Sequence, residues 1–479
     1  MPPPAPVSAP PTITTLGELR SAGYGARTLR DELRANLERF MREGRPMFEG
    51  IMGYEETVVP ALENALLCGH DLIFLGERGQ AKTRMIRSIL GLLDEWVPEV
   101  AGTEIHDDPF EPVSMYAREK VAKDGDATAI AWLHREDRYG EKLATPDTAI
   151  ADLIGDVDPI KVAEGHHLSD EYTMHFGLLP RTNRGIFCIN ELPDLTEKVQ
   201  VGLFNVMEER DIQVKGYRVR LPLDVLVVAS ANPEDYTSRG RIITPLKDRY
   251  AAQIRTHYPL KREIEIEIAN QEAVLPQIDG SEVHVPDFMQ EIVAELTFQA
   301  RSSADISQTS GVSVRMTIAN FETLVANAQR RAISLGETEA VPRITDLPAL
   351  LASSRGKIEL EYAGAERSED EVIHDLIERA IRVVFEERVS EEDVKPVAEA
   401  FDQGWQVEVA ASMASNGYLE GLDEIAGLRP LAETLAGGAS DARLAAAIEF
   451  VLEGMHLANR LNKDDVSGAT RFGKLRAEA

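Results

Sequence analysis

The stretch Asp71-Leu-Ile-Phe-Leu-Gly-Glu-Arg-Gly-Gln-Ala-Lys-Thr83 decides how the rest of the chain is read. Leu72 to Leu75 is a short apolar run of the kind that forms a buried strand. Arg84 to Trp96 follows as a helix, with Met85, Ile86, Ile89, Leu92 and Leu93 on one face. Between them Gly76, Gly79, Lys82 and Thr83 stand at the spacing of a phosphate-binding loop, and strand, glycine loop and helix is the context that motif requires. Glycines let backbone N–H groups turn toward phosphates, and the helix N-terminus adds partial positive charge. Gly76, Glu77, Arg78, Gly79, Gln80, Ala81, Lys82 and Thr83 are therefore the candidate nucleotide cradle. Lys82 is expected to reach the β- and γ-phosphates of ATP, and the Thr83 hydroxyl to take Mg²⁺. Ala81 stands where a glycine usually precedes the lysine. It is small and keeps its backbone N–H, so the cradle is expected to survive. The alternative is an ordinary glycine-rich turn from strand to helix.

Composition narrows the class. A chain of 479 residues has room for about two to four domains. Hydrophobic content of 43% marks it as globular, and a formal net charge of −30 argues against a main surface that binds nucleic acid. Cys68 and Cys188 lie in apolar contexts and imply neither a disulfide framework nor a cysteine zinc site. The start, Met1-Pro-Pro-Pro-Ala-Pro, lacks the basic and apolar regions of a secretory signal. No apolar run has the length to span a bilayer. The expectation is a soluble, cytoplasmic protein with neither nucleic acid nor membrane as partner.

In chain order, residues 1–14 are Pro-rich and read as disordered. Leu16 to Arg42 reads as two short helices broken near Gly23–Gly25, and Glu55 to Leu67 as an amphipathic helix whose regular part starts near Val59. Residues 97–150 read as irregular. Gly185 to Leu192 is a second apolar strand, followed by a helix with Val199, Leu203, Phe204 and Met207 at helical spacing. Ile212 to Leu221 alternates around Lys215–Gly216, a hairpin signature. Val225 to Ser230 is a third strand, a short helix ends at Asp248-Arg249, and Ala251 to Thr256 is a fourth strand. Buried strands alternating with helices indicate a mostly parallel sheet covered on both faces. From residue 260 on the chain reads as helical. Residues 261–268 alternate with period two, yet Glu and Lys are poor strand formers and a polar helical run follows, so helix is expected there. Residues 286–301, 314–335, 344–361, 366–389 and 440–462 complete the helices. Gly437–Gly438 and the tail after Asp464 read as linker and frayed end. His166–His167 and His106-Asp-Asp108 lack further ligands at matched spacing and read as solvated loop residues. The acidic runs Ser368–Glu371 and Glu386–Asp393 read as helix starts and solvated faces.

Chemistry-bearing residues follow the loop in order. Glu191 ends a buried strand, where ligands bind in parallel sheets. A carboxylate there orients the water that attacks a γ-phosphate. Asn190 occupies the position where an aspartate usually helps to hold Mg²⁺. Asn232 ends the next strand, with an amide suited to the γ-phosphate or that water. Arg249 closes a helix and suits contact with a neighbouring subunit's nucleotide. Arg315, in Gly311-Val-Ser-Val-Arg-Met, begins a helix of the helical group.

These stretches resemble the AAA+ ATPases of the magnesium-chelatase subunit I type, close to the MoxR-like group. Gly177-Leu-Leu-Pro-Arg-Thr-Asn-Arg-Gly-Ile-Phe-Cys-Ile-Asn-Glu-Leu192 is similar to that family's sequence before and through Walker B. Thr145 to Asp158, Asp108-Pro-Phe, Ala117-Arg-Glu-Lys-Val, Asn232-Pro-Glu, Leu246-Lys-Asp-Arg-Tyr250 and Glu339 to Leu347 extend the likeness over roughly residues 48–350. The resemblance implies an α/β P-loop AAA+ core with a mostly parallel sheet, an all-α lid and a further helical C-terminal region. The corresponding bounds are an N-terminal extension over 1–47, the core over 48–258, the lid over 259–362 and the last region over 363–479. It implies Lys82 and Thr83 as Walker A, Glu191 as Walker B, Asn232 as sensor 1, Arg249 as a finger acting in trans and Arg315 as sensor 2. Insertion hairpins would fall near Val157–His175 and Ile212–Leu221. The implied cofactors are ATP and Mg²⁺, with Thr83 and Asn190 toward the metal. The implied assembly is a homo-oligomeric ring, a hexamer, working on a partner with a von Willebrand factor A domain. Asn190 departs from the family by lacking charge, which implies slow hydrolysis and a high Mg²⁺ requirement that Asn190→Asp would relieve.

Four functions remain open: the motor of a chelatase-like complex, a MoxR-type chaperone with no tetrapyrrole role, a nucleic-acid motor or sigma-factor activator, and a module that holds ATP with little hydrolysis. The third lacks a Gly-Ala-Phe-Thr-Gly-Ala loop, a helix-turn-helix or a basic stripe.

Overall fold

The apolar runs lie side by side in a five-stranded sheet. In the computed structural model its strands are β1 (Leu72–Leu75), β2 (Tyr139–Leu143), β3 (Gly185–Asn190), β4 (Val225–Ala231) and β5 (Ala252–Arg255). Their spatial order is β5-β1-β4-β3-β2, and each neighbouring pair is parallel. The structure describes residues 8–158, 160, 171–210, 212–214, 217–219, 221–232, 240–278, 280, 282–307, 311–361, 367–438, 440–466 and 469–475. It divides into two compact units, Met1–His257 and Tyr258–Ala479.

Strand periodicity explains why β1, β3 and β4 read as continuous apolar runs. Ile73, Phe187, Ile189, Val225, Val227 and Ala229 point into one core, where Leu179, Leu192, Val199 and Leu203 cover them. Leu72, Phe74, Ile186, Cys188, Leu226 and Val228 point into the other, under Leu33, Leu37, Leu62, Leu66, Met85 and Ile86. Both faces are dry, so no position along these strands favours a polar residue.

β2 corrects the reading of residues 97–150 as irregular. Its residues are only partly buried, as suits the edge of a sheet. An antiparallel pair, Trp96–Val100 with Ile130–His134, and a helix, Met115–Asp124, fill the rest of that region. The helix after the loop is correspondingly short: Lys82–Ser88, then a 3₁₀ turn over Ile89–Leu92, with Trp96 already in a strand. Antiparallel pairs Gly155–Val157 with Met174–Phe176, and Ile212–Val214 with Tyr217–Val219, lie at the two expected hairpins. Lys215, Gly216, His166 and His167 lie outside the described residues.

The helix Leu29–Glu43 is built into the first unit. The Thr28 side chain accepts from the Asp31 N–H at its start, and Gly44 closes it at φ 65°. Leu29, Leu33 and Leu37, one turn apart, enter the core beside β1. Glu32 on the same helix meets Arg138 in a two-pronged pair with distances of 2.7 and 2.6 Å. The two side chains are 5% and 1% exposed. Arg138 also donates from Nε to the Arg184 carbonyl at 2.7 Å, and Glu32 accepts from the Asp94 N–H at 2.7 Å. Removing one member leaves a buried charge uncompensated. Glu32→Ala is expected to destabilise the first unit by about 3–5 kcal/mol, read as a lower midpoint in chemical denaturation. An unchanged midpoint would show that the pair contributes nothing.

In the second unit, helices Asp287–Ser302, Val314–Leu335, Glu369–Arg388 and Asp441–Leu457 contribute to one core. Phe288 stacks on Phe450 there with ring centroids 4.4 Å apart. The period-two segment is helical, Arg262–Glu272, and turns Glu265 inward to a two-pronged pair with Arg301 at 2.7 and 2.9 Å. Ser368 with Glu371, and Ser390 with Asp393, form capping boxes, so the first acidic run and the end of the second start helices, while Glu386 and Glu387 lie exposed in the last turn of Glu369–Arg388. The tail after Asp464 is not frayed: Asn462–Val466 pairs with Ala469–Gly473, which pairs in turn with Val407–Val409. These are polar strands of an antiparallel sheet, and such strands lack the apolar run that marks a buried one. Among the described residues no helix is long and apolar enough to cross a membrane.

Candidate nucleotide site

The loop at the end of β1 is shaped by how closely its neighbours approach. The Gly76 N–H donates to the Ala231 carbonyl at 3.1 Å, tying the loop to the end of β4. A Cβ on Gly76 would fall 1.8 Å from Thr256 Oγ1 and 2.2 Å from Gln80 Oε1, so no other residue fits. Gln80 is held from inside the loop: its Oε1 accepts from the Glu77 N–H at 3.0 Å and from the Thr256 hydroxyl at 2.6 Å. The Tyr54 hydroxyl lies 3.0 Å from the Gln80 carbonyl oxygen and 2.8 Å from that of His257. Gly79 and Ala81 both take positive φ, 78° and 54°. For alanine that conformation costs roughly 1–2 kcal/mol, which is the strain that a glycine at this position would avoid. The loop keeps the left-handed turn despite the substitution.

Lys82 is buried, with 8% exposure. Its ammonium group donates to the Gly76 carbonyl, to the Glu77 carbonyl at 2.8 Å and to Asn232 Oδ1 at 2.9 Å. The Asn232 amide in turn lies 3.4 Å from Glu191 Oε2. Glu191 has φ 56° and ψ 49°, a left-handed conformation that turns the chain at the end of β3. Its N–H donates to the Ser230 hydroxyl at 3.3 Å. Lys82, Glu191 and Asn232 are thus brought together by three adjacent strand ends. Strained backbone held in place by surrounding contacts is common at functional sites. Thr83 follows Lys82 with its side chain exposed.

Asn190 is almost buried, and its amide is fixed in one orientation. Oδ1 accepts from the Ser230 hydroxyl at 3.1 Å and from the Cys188 thiol at 3.5 Å. Burial pushes that thiol up to about 12, so it stays protonated near neutral pH and remains a donor. Nδ2 donates to Glu141 Oε1 at 2.5 Å. The second oxygen of Glu141 accepts from Arg87 at 3.1 and 2.7 Å. Glu141 sits on β2, and sequence reasoning missed it because the edge strand itself was missed.

Other expected residues stand apart from this cluster. Arg249 closes the helix Thr244–Arg249. Its guanidinium binds Glu208 and the Pro245 carbonyl and lies 4.4 Å from the centroid of the Phe204 ring. Arg315 belongs to the second unit, where it is exposed in the first turn of Val314–Leu335. The reading of His106-Asp-Asp108 as solvated needs correction. Asp107 is fully buried and accepts from the Val113 and Ser114 N–H groups, each at 2.7 Å. His106 lies 2.7 Å from Glu99, and Asp108 lies 3.3 Å from Arg184. These are ties within a folded loop.

A cleft of about 320 Å³ opens beside the loop, lined by Gly76, Glu77, Gln80, Lys247, Arg255 and Thr256 among others. Among the described residues no group of three or more His, Cys, Asp or Glu side chains is gathered to hold a metal alone. That suits Mg²⁺, which is usually bound by one or two protein oxygens together with phosphate and water. Thr83, Asn190, Glu141 and Glu191 carry the hard oxygens that such an ion and its bound water prefer.

A parallel sheet in the order β5-β1-β4-β3-β2, with a lysine-bearing loop after β1, is the arrangement of an α/β P-loop core and resembles that of AAA+ ATPases, and helical parts follow it. The family model of the sigma-54 interaction domain matches residues 164–248. The Bacillus subtilis (strain 168) protein YeaC is 25% identical over 173 residues, covering 33% of this chain and 53% of that protein. The chain therefore spans about half the length of the curated relative it matches. Similar solved structures include NtrX from Brucella abortus in complex with ADP, at 15% identity, covering 64% of this chain and 51% of that one, with a TM-score of 0.31. Another is the complex between subunits BchI and BchD of magnesium chelatase, at 18% identity, covering 69% of this chain and 100% of that one, with a TM-score of 0.36. The chain resembles AAA+ ATPases.

Proposed function

We propose that this protein is a ring-forming ATP hydrolase that uses the nucleotide to remodel a partner protein. The observation that carries the reading is Lys82, buried and held at 2.9 Å from Asn232, which lies 3.4 Å from the Glu191 carboxylate. A cation for the phosphates, an amide for the γ-phosphate and a carboxylate for the attacking water meet at the ends of adjacent parallel strands. Residues 48–258 carry the nucleotide site in this reading, on a core that the helix Leu29–Glu43 completes, with 259–362 as the lid. Thr83 and Asn190 are the residues that would serve the Mg²⁺ accompanying ATP, which when bound would neutralise charge building on the phosphates. Arg249 is supplied to the neighbouring subunit's nucleotide, and Arg315 belongs to the lid's contribution. The partner is a protein with a von Willebrand factor A domain, and the motor is of the chelatase subunit I type or of the MoxR chaperone type.

Glu191→Gln tests this. The substitution keeps the shape and removes the carboxylate that orients water, so ATP is held and not turned over. With ATP present, the variant is expected to retain a partner in pull-downs that the wild-type protein releases. A variant that hydrolyses ATP at the wild-type rate would remove Glu191 from the proposed role. A second reading, a module that holds ATP with little turnover, is favoured by one observation: position 190 carries an amide in place of a carboxylate. Absence of turnover in the wild-type protein, even with its partner, would select that reading.

A further inference from the structure

Glu141 meets Asn190 on a strand that the sequence did not reveal. It lies 49 residues before Asn190, and the two face each other because β2 and β3 pair in parallel, with Glu141 opposite Cys188. The pair reverses an expectation. From the sequence, the amide at 190 is a lost charge that an aspartate would restore. In the structure the charge is present, carried by the neighbouring strand, and the amide donates to it at 2.5 Å. An aspartate at 190 would place a second carboxylate against the first, and like charges so close do not both ionise readily. The other oxygen of Glu141 accepts from Arg87, on the helix that begins at Lys82. Glu141 is therefore joined to both the loop helix and the end of β3.

We propose that Glu141 supplies the negative charge toward Mg²⁺ that position 190 lacks, with Asn190 positioning it. This deepens the nucleotide-site reading and rests on it. The carboxylate is carried by β2, and the amide at position 190 donates to it. Glu141 is a positioning residue for the ion's bound water, and its influence is confined to the Mg²⁺-dependent part of nucleotide binding.

The test is a set of four proteins: wild type, Glu141→Gln, Asn190→Asp and the exchange Glu141→Gln with Asn190→Asp. Binding of a non-hydrolysable ATP analogue is measured by calorimetry, once in Mg²⁺ and once in EDTA, with the melting temperature recorded for each. The ratio of the two affinities isolates the metal's contribution, and a purely structural role for Glu141 would leave that ratio unchanged. Glu141→Gln is expected to lower the ratio by about 10–100-fold, the usual cost of losing an outer-sphere partner. Affinity in EDTA is expected to stay at the wild-type level. Asn190→Asp alone is expected to give no gain. The exchange, which restores one carboxylate and one amide, is expected to recover most of the ratio. A wild-type ratio in Glu141→Gln overturns the proposal while leaving the nucleotide site standing. An exchange protein as impaired as Glu141→Gln also overturns it, because the charge would then not be transferable. Absence of binding in all four proteins overturns the nucleotide site itself.

Discussion

Lys82→Ala is expected to abolish measurable ATP binding. In the folded loop the ammonium group is buried and already has acceptors in the Gly76 and Glu77 carbonyls and in Asn232. Arriving phosphates take over those acceptor positions, and the cation needs no large movement to meet them. Lys247 and Arg255 also line the cleft, but both are exposed, where water and salt screen their charge. They do not replace a cation held inside the loop. Truncation also removes the loop's link to Asn232, while the Gly76–Ala231 bond still ties the loop to the end of β4. The check is a calorimetric titration with ATP and Mg²⁺, alongside a melting curve. Undiminished affinity in a folded variant would sink the assignment of the loop.

Arg249→Ala is expected to leave nucleotide binding nearly intact and to lower hydrolysis by on the order of 10³–10⁵, the scale for a cation that meets transition-state charge across a subunit boundary. In this structure the side chain is occupied on its own subunit, by Glu208, the Pro245 carbonyl and the Phe204 ring. Its charge-assisted contact with Glu208 is largely exposed on the carboxylate side, at 59%. Exposed pairs of this kind contribute up to about 1 kcal/mol, small enough for a phosphate to displace. Mixing Arg249→Ala with Glu191→Gln separates the two roles. Mixed rings contain some interfaces with both residues intact, so a finger acting in trans recovers part of the activity. If Arg249 only fastens its helix to Glu208, the variant melts earlier and mixing restores nothing.

How much of this was legible in the sequence followed from burial. β1, β3 and β4 are legible within a residue or two, because strands of the sheet interior announce themselves as apolar runs, and β5 is legible too although it forms the other edge and is only partly buried. β2 was invisible: Tyr139-Gly-Glu-Lys-Leu143 lies at the edge, partly exposed, and carries a glycine and two charges in the run of a strand. With β2 went Glu141, the nearest carboxylate partner of Asn190. Spacing along the chain had no means of linking residues that meet only through strand pairing. Lys82, Glu191 and Asn232 were legible for the opposite reason: each stands at the end of an apolar strand or at the start of the helix after it. The polar strands Asn462–Val466 and Ala469–Gly473 escaped notice because they have no apolar run to mark them.

The buried Glu32–Arg138 pair also governs where this protein can be cut. By resemblance, a nucleotide-binding fragment would start near residue 48, after the segment that looks like an appendage. Such a fragment would lack Leu29, Leu33 and Leu37, laying bare apolar surface on the β1 face of the sheet. It would also strip the buried guanidinium of Arg138 of its two-pronged carboxylate partner. Shortened genes that begin at residue 48 should therefore give insoluble or unfolded product, and those that begin ahead of Thr28 should not. A laboratory that finds the trimmed protein inert would be observing a broken scaffold, with no bearing on whether the loop binds nucleotide.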